Sequence, residues 1–174
     1  MKNSKTVSFR VPENVISEIE KEAKSNMIST NVLINQILHD YVEFYRHRKR
    51  MRLLPTPEDS IKHVLEKITD SEIKELTDIS FNSIRDWALV SKMRFDLGAC
   101  LDAIEQYCRI GEIGFEYSTV GGSYSFVIRH ELGKIFSLFI SGLIEKIFWE
   151  LKKVKTDSEI TPTTVLIKTR SRID

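Results

Sequence analysis

Three hydrogen-bonding side chains alternate with apolar ones near the start of the chain, in the stretch TVSFRV of residues 6–11. Successive side chains of a β-strand point to opposite faces, so Thr6, Ser8 and Arg10 would share one face of a strand. They would stand about 6.6 Å apart, close to the spacing of two base-pair steps in DNA. Hydroxyl and guanidinium groups at this spacing can form hydrogen bonds with a regularly repeating ligand.

This predicted strand has no second strand near it in the sequence, so its backbone groups need a partner from elsewhere. The simplest partner is the same strand of a second copy, paired antiparallel, with Val7, Phe9 and Val11 packed on the helices of both copies. A two-stranded ribbon of this kind fits the major groove of B-DNA, where Arg10 can donate two hydrogen bonds to guanine. The pattern therefore predicts a homodimer that binds double-stranded DNA.

Two helices are predicted to follow the strand. Pro12 suits the first turn of a helix, and apolar residues recur at helical spacing from Val15 to Ala23. The letters KSNMIS interrupt this pattern, and Ser29 supplies the N-cap of a second helix with a broad apolar stripe that reaches Tyr45.

Residues 5–45 resemble the ribbon-helix-helix family of DNA-binding repressors, typified by Arc, MetJ and CopG. The stretches TVSFRVPENVISEIEKEA and ISTNVLINQILHDYVEF carry the resemblance, with a serine 17 residues after the proline that closes the strand. Many members have glycine in the turn between the helices, where this chain has Met27. We expect Asn26 to adopt the left-handed conformation in that turn.

The resemblance implies a role for each polar residue of this head. The implied base contacts are Thr6, Ser8 and Arg10. The implied phosphate contacts are Lys5, Ser29, Thr30 and Asn31. A helix N-terminus with free N–H groups is an anion site, which agrees with the phosphate role. The function implied is that of a sequence-specific transcription regulator, with repression as the expected effect.

Charge is distributed unevenly along the 174 residues. The first 52 residues hold ten Lys and Arg against six Asp and Glu, and the remainder is acidic. The cationic run RHRKRMR and two prolines mark residues 46–58 as a linker between a 1–45 head and a 59–174 body. The run either complements the C-terminus of the preceding helix and is solvated, or it contacts flanking DNA or an acidic patch on the body.

The body is predicted to be an α+β domain with a small antiparallel sheet packed on helices. Helices are expected in PEDSIKHVLEKI, SEIKELTDISFNSIRDWALV and DLGACLDAIEQYC, and a long one over 131–153. GFEYSTV and SYSFVIRH form a hairpin around Gly121-Gly122, and TTVLIKT closes as a strand. If WALVSKMRF is instead a strand, the order becomes βαββαβ, which is the ferredoxin-like arrangement. The long helix either is covered by other helices or forms a subunit interface that gives a dimer or a tetramer.

Other chemistry has weaker support in the sequence. Cys100 and Cys108 lie eight residues apart, which does not suit a helical metal chelate, and His130 is not part of a histidine cluster. His130-Glu131 lacks a nucleophile and a second carboxylate placed to use it, and no phosphate-binding glycine motif occurs. We therefore expect no enzyme, no metal site and no cofactor.

Location and partners complete the expectations. Neither a signal peptide nor an apolar run long enough for a bilayer is visible, so we expect a cytoplasmic protein without membrane contact. The alternative function is that of an antitoxin-like protein whose body binds another protein. Antitoxins of this type usually carry short tails, whereas this body has about 120 residues.

Overall fold

A computed structural model describes residues 5–47 and 56–171. The chain divides into two compact units, Met1–Arg46 and His47–Asp174, here called unit 1 and unit 2. Most of the predicted linker, residues 48–55, lies outside the described residues.

Unit 1 contains two helices that follow an unpaired segment. Residues 5–12 take part in no helix or strand ladder of the single chain. Helix α1 (Glu13–Ser25) begins directly after Pro12, whose carbonyl accepts hydrogen bonds from the N–H groups of Val15 and Ile16. Pro12 is thus the N-cap and not a first-turn residue. Helix α2 (Thr30–Asp40) continues into a π-helical turn (Tyr41–Tyr45).

The turn between the two helices corrects the expectation for Asn26. Met27 adopts the left-handed conformation, with φ of 55°, while Asn26 has φ of −84°. The N–H of Ile28 donates to the carbonyl of Ala23 at 3.0 Å, and that of Met27 to the carbonyl of Lys24 at 3.1 Å. These two bonds form a Schellman motif, in which the left-handed residue is the one after the C-cap. The hydrogen-bond pattern therefore assigns the strained position to Met27.

Over its residues 56–171, unit 2 is an α+β domain of four helices and a four-stranded antiparallel sheet. The helices are α3 (Glu58–Leu65), α4 (Asp70–Lys92), α5 (Leu97–Ile110) and α6 (Gly133–Lys152). The strands are β1 (Gly114–Val120), β2 (Ser123–Arg129), β3 (Thr156–Ile160) and β4 (Thr164–Thr169). The strand order in the sheet is β1-β2-β4-β3.

The alternative strand at 87–95 is not formed, because Trp87 to Lys92 complete α4. Both Trp87 and Ala88 are buried. A half-buried strand would point these neighbours to opposite faces, whereas a helix between other helices can bury both. The described strands and helix of the sheet region are ordered ββαββ, and not in the βαββαβ order of that alternative.

Helix α6 is the centre of the unit 2 core. It packs against α3, α4, α5 and the sheet, and Ile144, Ile147 and Phe148 are fully buried. Other elements of the unit therefore cover the broad apolar face of this helix, which was the first of the two alternatives. The hairpin prediction is confirmed, with φ of 57° at Gly121 and 80° at Gly122.

Replacing Met27 with glycine should stabilise unit 1. A non-glycine residue in the left-handed region costs about 1–2 kcal/mol, and the added freedom of glycine in the unfolded chain offsets part of this gain. We expect the free energy of unfolding of the transition that includes α1 and α2 to rise by about 0.5–1 kcal/mol in urea denaturation. Met27→Ala is the matched control and should bring no such gain. Equal stability of the glycine and alanine variants would contradict the assignment.

Candidate nucleic-acid interface

The segment before α1 exposes its polar and its apolar side chains alike. Thr6, Ser8 and Arg10 are exposed. Val7 is 67% exposed and Phe9 60% exposed. In a strand, the apolar side chains would lie on the face opposite the polar ones. In one copy of the chain, the apolar side chains predicted to pack and the polar side chains predicted to bind are therefore both exposed to solvent.

The apolar surface extends over the helices of unit 1. Within residues 5–46, the buried apolar side chains are those of Ala23, Leu33 and Phe44. The large apolar side chains that remain exposed on the helices and the π-helical turn are Val15, Val32, Ile37, Leu38, Tyr41, Val42 and Tyr45. A domain of about 60 residues is already marginal in the surface that it can bury, and unit 1 is smaller, at 46 residues. Much of its apolar surface therefore stays accessible in one copy of the unit.

The N-terminus of α2 has the geometry of an anion site. Ser29 is the N-cap, and its Oγ accepts a hydrogen bond from the N–H of Val32 at 3.2 Å. The N–H groups of Thr30 and Asn31 precede Leu33, whose N–H donates the first intrahelical hydrogen bond, to the carbonyl of Ser29, and they point along the helix axis. Ser29 and Asn31 are exposed, and Thr30 is half-buried.

Lys5 is exposed at the start of the described chain. It adds a cation beside Thr6 in sequence, on a segment whose polar residues are uncharged apart from Arg10.

Unit 2 brings together one pair of side chains that sequence reasoning did not find. Nε2 of His130 lies 2.9 Å from Oγ of Ser137, and both residues are buried. The Ser137 hydroxyl donates to the carbonyl of Thr161 at 2.7 Å. The N–H of Leu132 donates to Nδ1 of His130 at 3.1 Å. His130 and Ser137 lie seven residues apart across a turn into a helix, a spacing with no periodic signal.

These contacts make the His130–Ser137 pair a structural link and not a nucleophile with its base. Because Nδ1 accepts from a backbone N–H, the proton of the neutral ring sits on Nε2, where it is donated to Ser137. A general base would have to accept at that atom. Burial lowers the pKa of His130 below its ordinary value, opposed by the charge of Glu131. The link joins the end of β2, the first turns of α6 and the β3–β4 turn.

A shallow groove of about 380 Å³ lies beside this link and is lined by Glu58, Glu112, Arg129 and Glu131, among others. Arg129 is paired with Glu116 at 2.9 Å. Both ring nitrogens of His130 are engaged in the link described above. The groove therefore offers no free nitrogen ligand from this histidine.

The two cysteines lie in the core of unit 2. Burial raises the pKa of Cys100 to about 11 and that of Cys108 to about 12, so both are thiols at neutral pH. Among residues 5–47 and 56–171, no group of three or more His, Cys, Asp or Glu side chains is arranged to hold a metal ion. Over the same residues, no helix is long and apolar enough to cross a bilayer.

Comparison with protein-family models and with curated proteins found no match for this chain.

The link at His130 should make the stability of unit 2 depend on pH. The folded state holds the ring neutral, while the unfolded chain binds a proton below its ordinary pKa of about 6.5. The stabilisation is therefore present above that pH and is lost as the pH falls below it. We expect the urea midpoint of unit 2 to drop more between pH 7.5 and 5.5 in the natural chain than in His130→Asn. The exposed His63→Asn is the control and should retain the natural dependence; a flattened profile in both variants would contradict the assignment to His130.

Proposed function

We propose that the protein is a dimeric, sequence-specific DNA-binding regulator of transcription, with repression as its effect. The observation that supports the proposal is the alternation of polar and exposed apolar side chains along residues 6–11. Val7 and Phe9 are 67% and 60% exposed in one chain, while Thr6, Ser8 and Arg10 alternate with them.

A second copy of unit 1 is the partner that accounts for both features of this segment. Antiparallel pairing of two such segments would satisfy their backbone groups, and their apolar faces would close over the exposed surfaces of α1 and α2. Burial of a side chain such as Phe9 contributes about 1.5–3 kcal/mol relative to full exposure. Since each copy supplies the same segments, the gain occurs twice.

The polar face of the resulting ribbon would address the bases of the major groove. Arg10 offers two parallel donors to O6 and N7 of guanine, and the hydroxyls of Thr6 and Ser8 can donate to or accept from base edges. The ribbon carries these groups from both copies, so the preferred operator should have two-fold symmetry.

The N-terminus of α2 supplies the sequence-independent part of binding. The Ser29 hydroxyl and the N–H groups of Thr30 and Asn31 are suited to a phosphate oxygen, and Lys5 adds a mobile cation. Contacts of this kind fix the register of a protein on the duplex. The location that we propose for the protein is the cytoplasm.

Unit 2 favours the regulator over the antitoxin alternative. It has its own core, which includes Leu101, Phe126, Ile144 and Ile167. A short flexible tail that folds on a toxin would lack such a core. Recovery of the purified chain with a second protein at fixed stoichiometry would reverse this preference.

Selection of bound sequences from a random duplex pool, followed by mutation of the ribbon, tests the proposal. The selected motif should be two-fold symmetric. Arg10→Ala should weaken binding to it by about 1–3 kcal/mol and broaden the sequence preference, because a bidentate base contact is lost. Lys5→Ala should weaken binding to all duplexes alike. It should also reduce the slope of the logarithm of the binding constant against the logarithm of the salt concentration by about one.

Lys24→Ala is the control for the loss of one positive charge away from the ribbon. It lies in the last turn of α1 and should leave the sequence preference unchanged. No enrichment of any motif, or equal affinity of the natural chain and Arg10→Ala for the selected duplex, would contradict base recognition by the ribbon.

A further inference from the structure

Strand β1 is an edge of the unit 2 sheet. Within the described residues its one strand neighbour is β2. The hairpin closes with Val120 opposite Ser123 across the two glycines, and this closing pair exchanges backbone hydrogen bonds in a two-residue turn. Every second residue from Val120 back to Gly114 therefore bonds to β2, and the residues between direct their N–H and C=O groups outward.

The hydrogen bonds on the far side of β2 fix the same alternation. The N–H of Tyr124 donates to Oγ1 of Thr169 at 3.0 Å, and that of His130 donates to the carbonyl of Thr163 at 3.0 Å. The backbone N–H groups of these two even-numbered residues, Tyr124 in β2 and His130 directly after it, therefore point away from β1. The even-numbered residues of β2 have odd-numbered partners in β1, with Thr119 opposite Tyr124 and Tyr117 opposite Phe126. The outward backbone groups of β1 thus belong to Phe115, Tyr117 and Thr119.

The side chain at the middle of this edge is a partly covered aromatic ring. Tyr117 is 41% exposed. Its ring stacks on those of Phe126 at 5.6 Å and Tyr124 at 6.4 Å between centroids. The row of stacked rings formed by Tyr124, Phe126 and Tyr117 therefore ends at the edge strand, where the ring of Tyr117 is partly exposed. Burial raises the pKa of Tyr117, so the phenol is uncharged at neutral pH.

The two edges of the sheet differ in their protection against pairing. Edge strands are commonly guarded by charges, prolines and short length. Strand β3 has five residues, carries the exposed acids Glu159 and Asp157, the latter paired with Arg170 at 2.6 Å, and is followed by Pro162. Strand β1 has seven residues, and its one charged residue, Glu116, is paired with Arg129 at 2.9 Å.

The sequence of β1 is complementary to itself in antiparallel pairing about Tyr117. Phe115 then lies opposite Thr119 of the other copy, which sets a large side chain against a small one. Glu116 lies opposite Ser118, so the two carboxylates are not directly opposed. The three outward residues of each copy form directly opposed pairs that exchange about six hydrogen bonds in total.

We propose that unit 2 associates with a second copy of itself through β1, antiparallel about Tyr117, to give one continuous eight-stranded sheet. This proposal adds a second interface to the dimer proposed above. It rests on that proposed function only because the dimer brings two copies of the chain together. It identifies the edge of the hairpin, and not the buried helix α6, as the association surface of this unit.

A cysteine at position 117 tests this geometry in the full-length chain. Directly opposed residues of a hydrogen-bonded antiparallel pair have Cα atoms about 5.5 Å apart, within the range of a disulfide. Tyr117→Cys should therefore give a covalent dimer in oxidised glutathione, read on a non-reducing gel. The natural thiols Cys100 and Cys108 are buried, with pKa values raised to about 11 and about 12, so they should contribute little background.

Thr119→Cys is the matched control. It lies on the same edge and is also exposed, yet its two copies would be offset by four residues, about 13 Å along the strands. We expect at least tenfold slower crosslinking than for Tyr117→Cys. Equal rates in both variants, or no covalent dimer of Tyr117→Cys, would overturn the proposal. If the partner of this edge is instead a strand of a different protein, the purified Tyr117→Cys chain will form no covalent dimer.

The same samples separate this interface from the proposed function when duplex binding is measured on them. Crosslinking of Tyr117→Cys without any duplex binding by the natural chain would retain the interface and remove the proposed function. Duplex binding by the natural chain, with no crosslinking of Tyr117→Cys, would retain the proposed function and overturn the interface.

Discussion

The proposal for unit 1 depends on the segment before α1, whose apolar side chains are left exposed by its own chain. Residues 5–12 form no ladder in the single chain, and the side chains of Val7 and Phe9 lie largely in solvent. Exposed apolar side chains forgo the free energy that their burial would contribute, and the backbone groups of this segment would need hydrogen-bond partners once they were buried. A second copy would meet both needs at once, because it would supply an antiparallel strand and an apolar surface of the same size.

The two units therefore differ in what stabilises them. Unit 2 has a core of its own around α6, closed by the His130–Ser137–Thr161 link between the sheet and its helices. Unit 1 buries few apolar side chains within one chain, and the proposed dimer would make its stability depend on protein concentration. In this account unit 2 contributes a folded body and an edge strand for association, and unit 1 contributes the recognition surface.

The elements with strong local signals could be predicted from the sequence. The paired glycines 121 and 122 require positive φ, and the apolar repeat of α6 spans more than five turns, so both elements were predicted correctly. Strand β3 was missed because TDSEI has one apolar residue and owes its conformation to pairing with β4. Residues 87–92 were ambiguous since Trp87 and Ala88 suit a buried strand or a buried helix. Asn26 was expected in the left-handed conformation because of its propensity, but the Schellman hydrogen bonds place Met27 there instead.

Of the candidate contacts, the cap at Ser29 followed from its spacing, whereas the Ser137 partner of His130 depends on tertiary structure alone.

The central claim is that two chains pair through residues 6–10, and amide hydrogen exchange along this segment tests it most directly. The account predicts that, at a concentration where light scattering shows a dimer, alternate amides of the segment exchange slowly. Dilution to the monomer should return them to the rate of an unstructured chain. Exchange of every amide from Thr6 to Arg10 at the unstructured rate in the dimer would contradict the shared ribbon, and with it the proposed mode of DNA recognition.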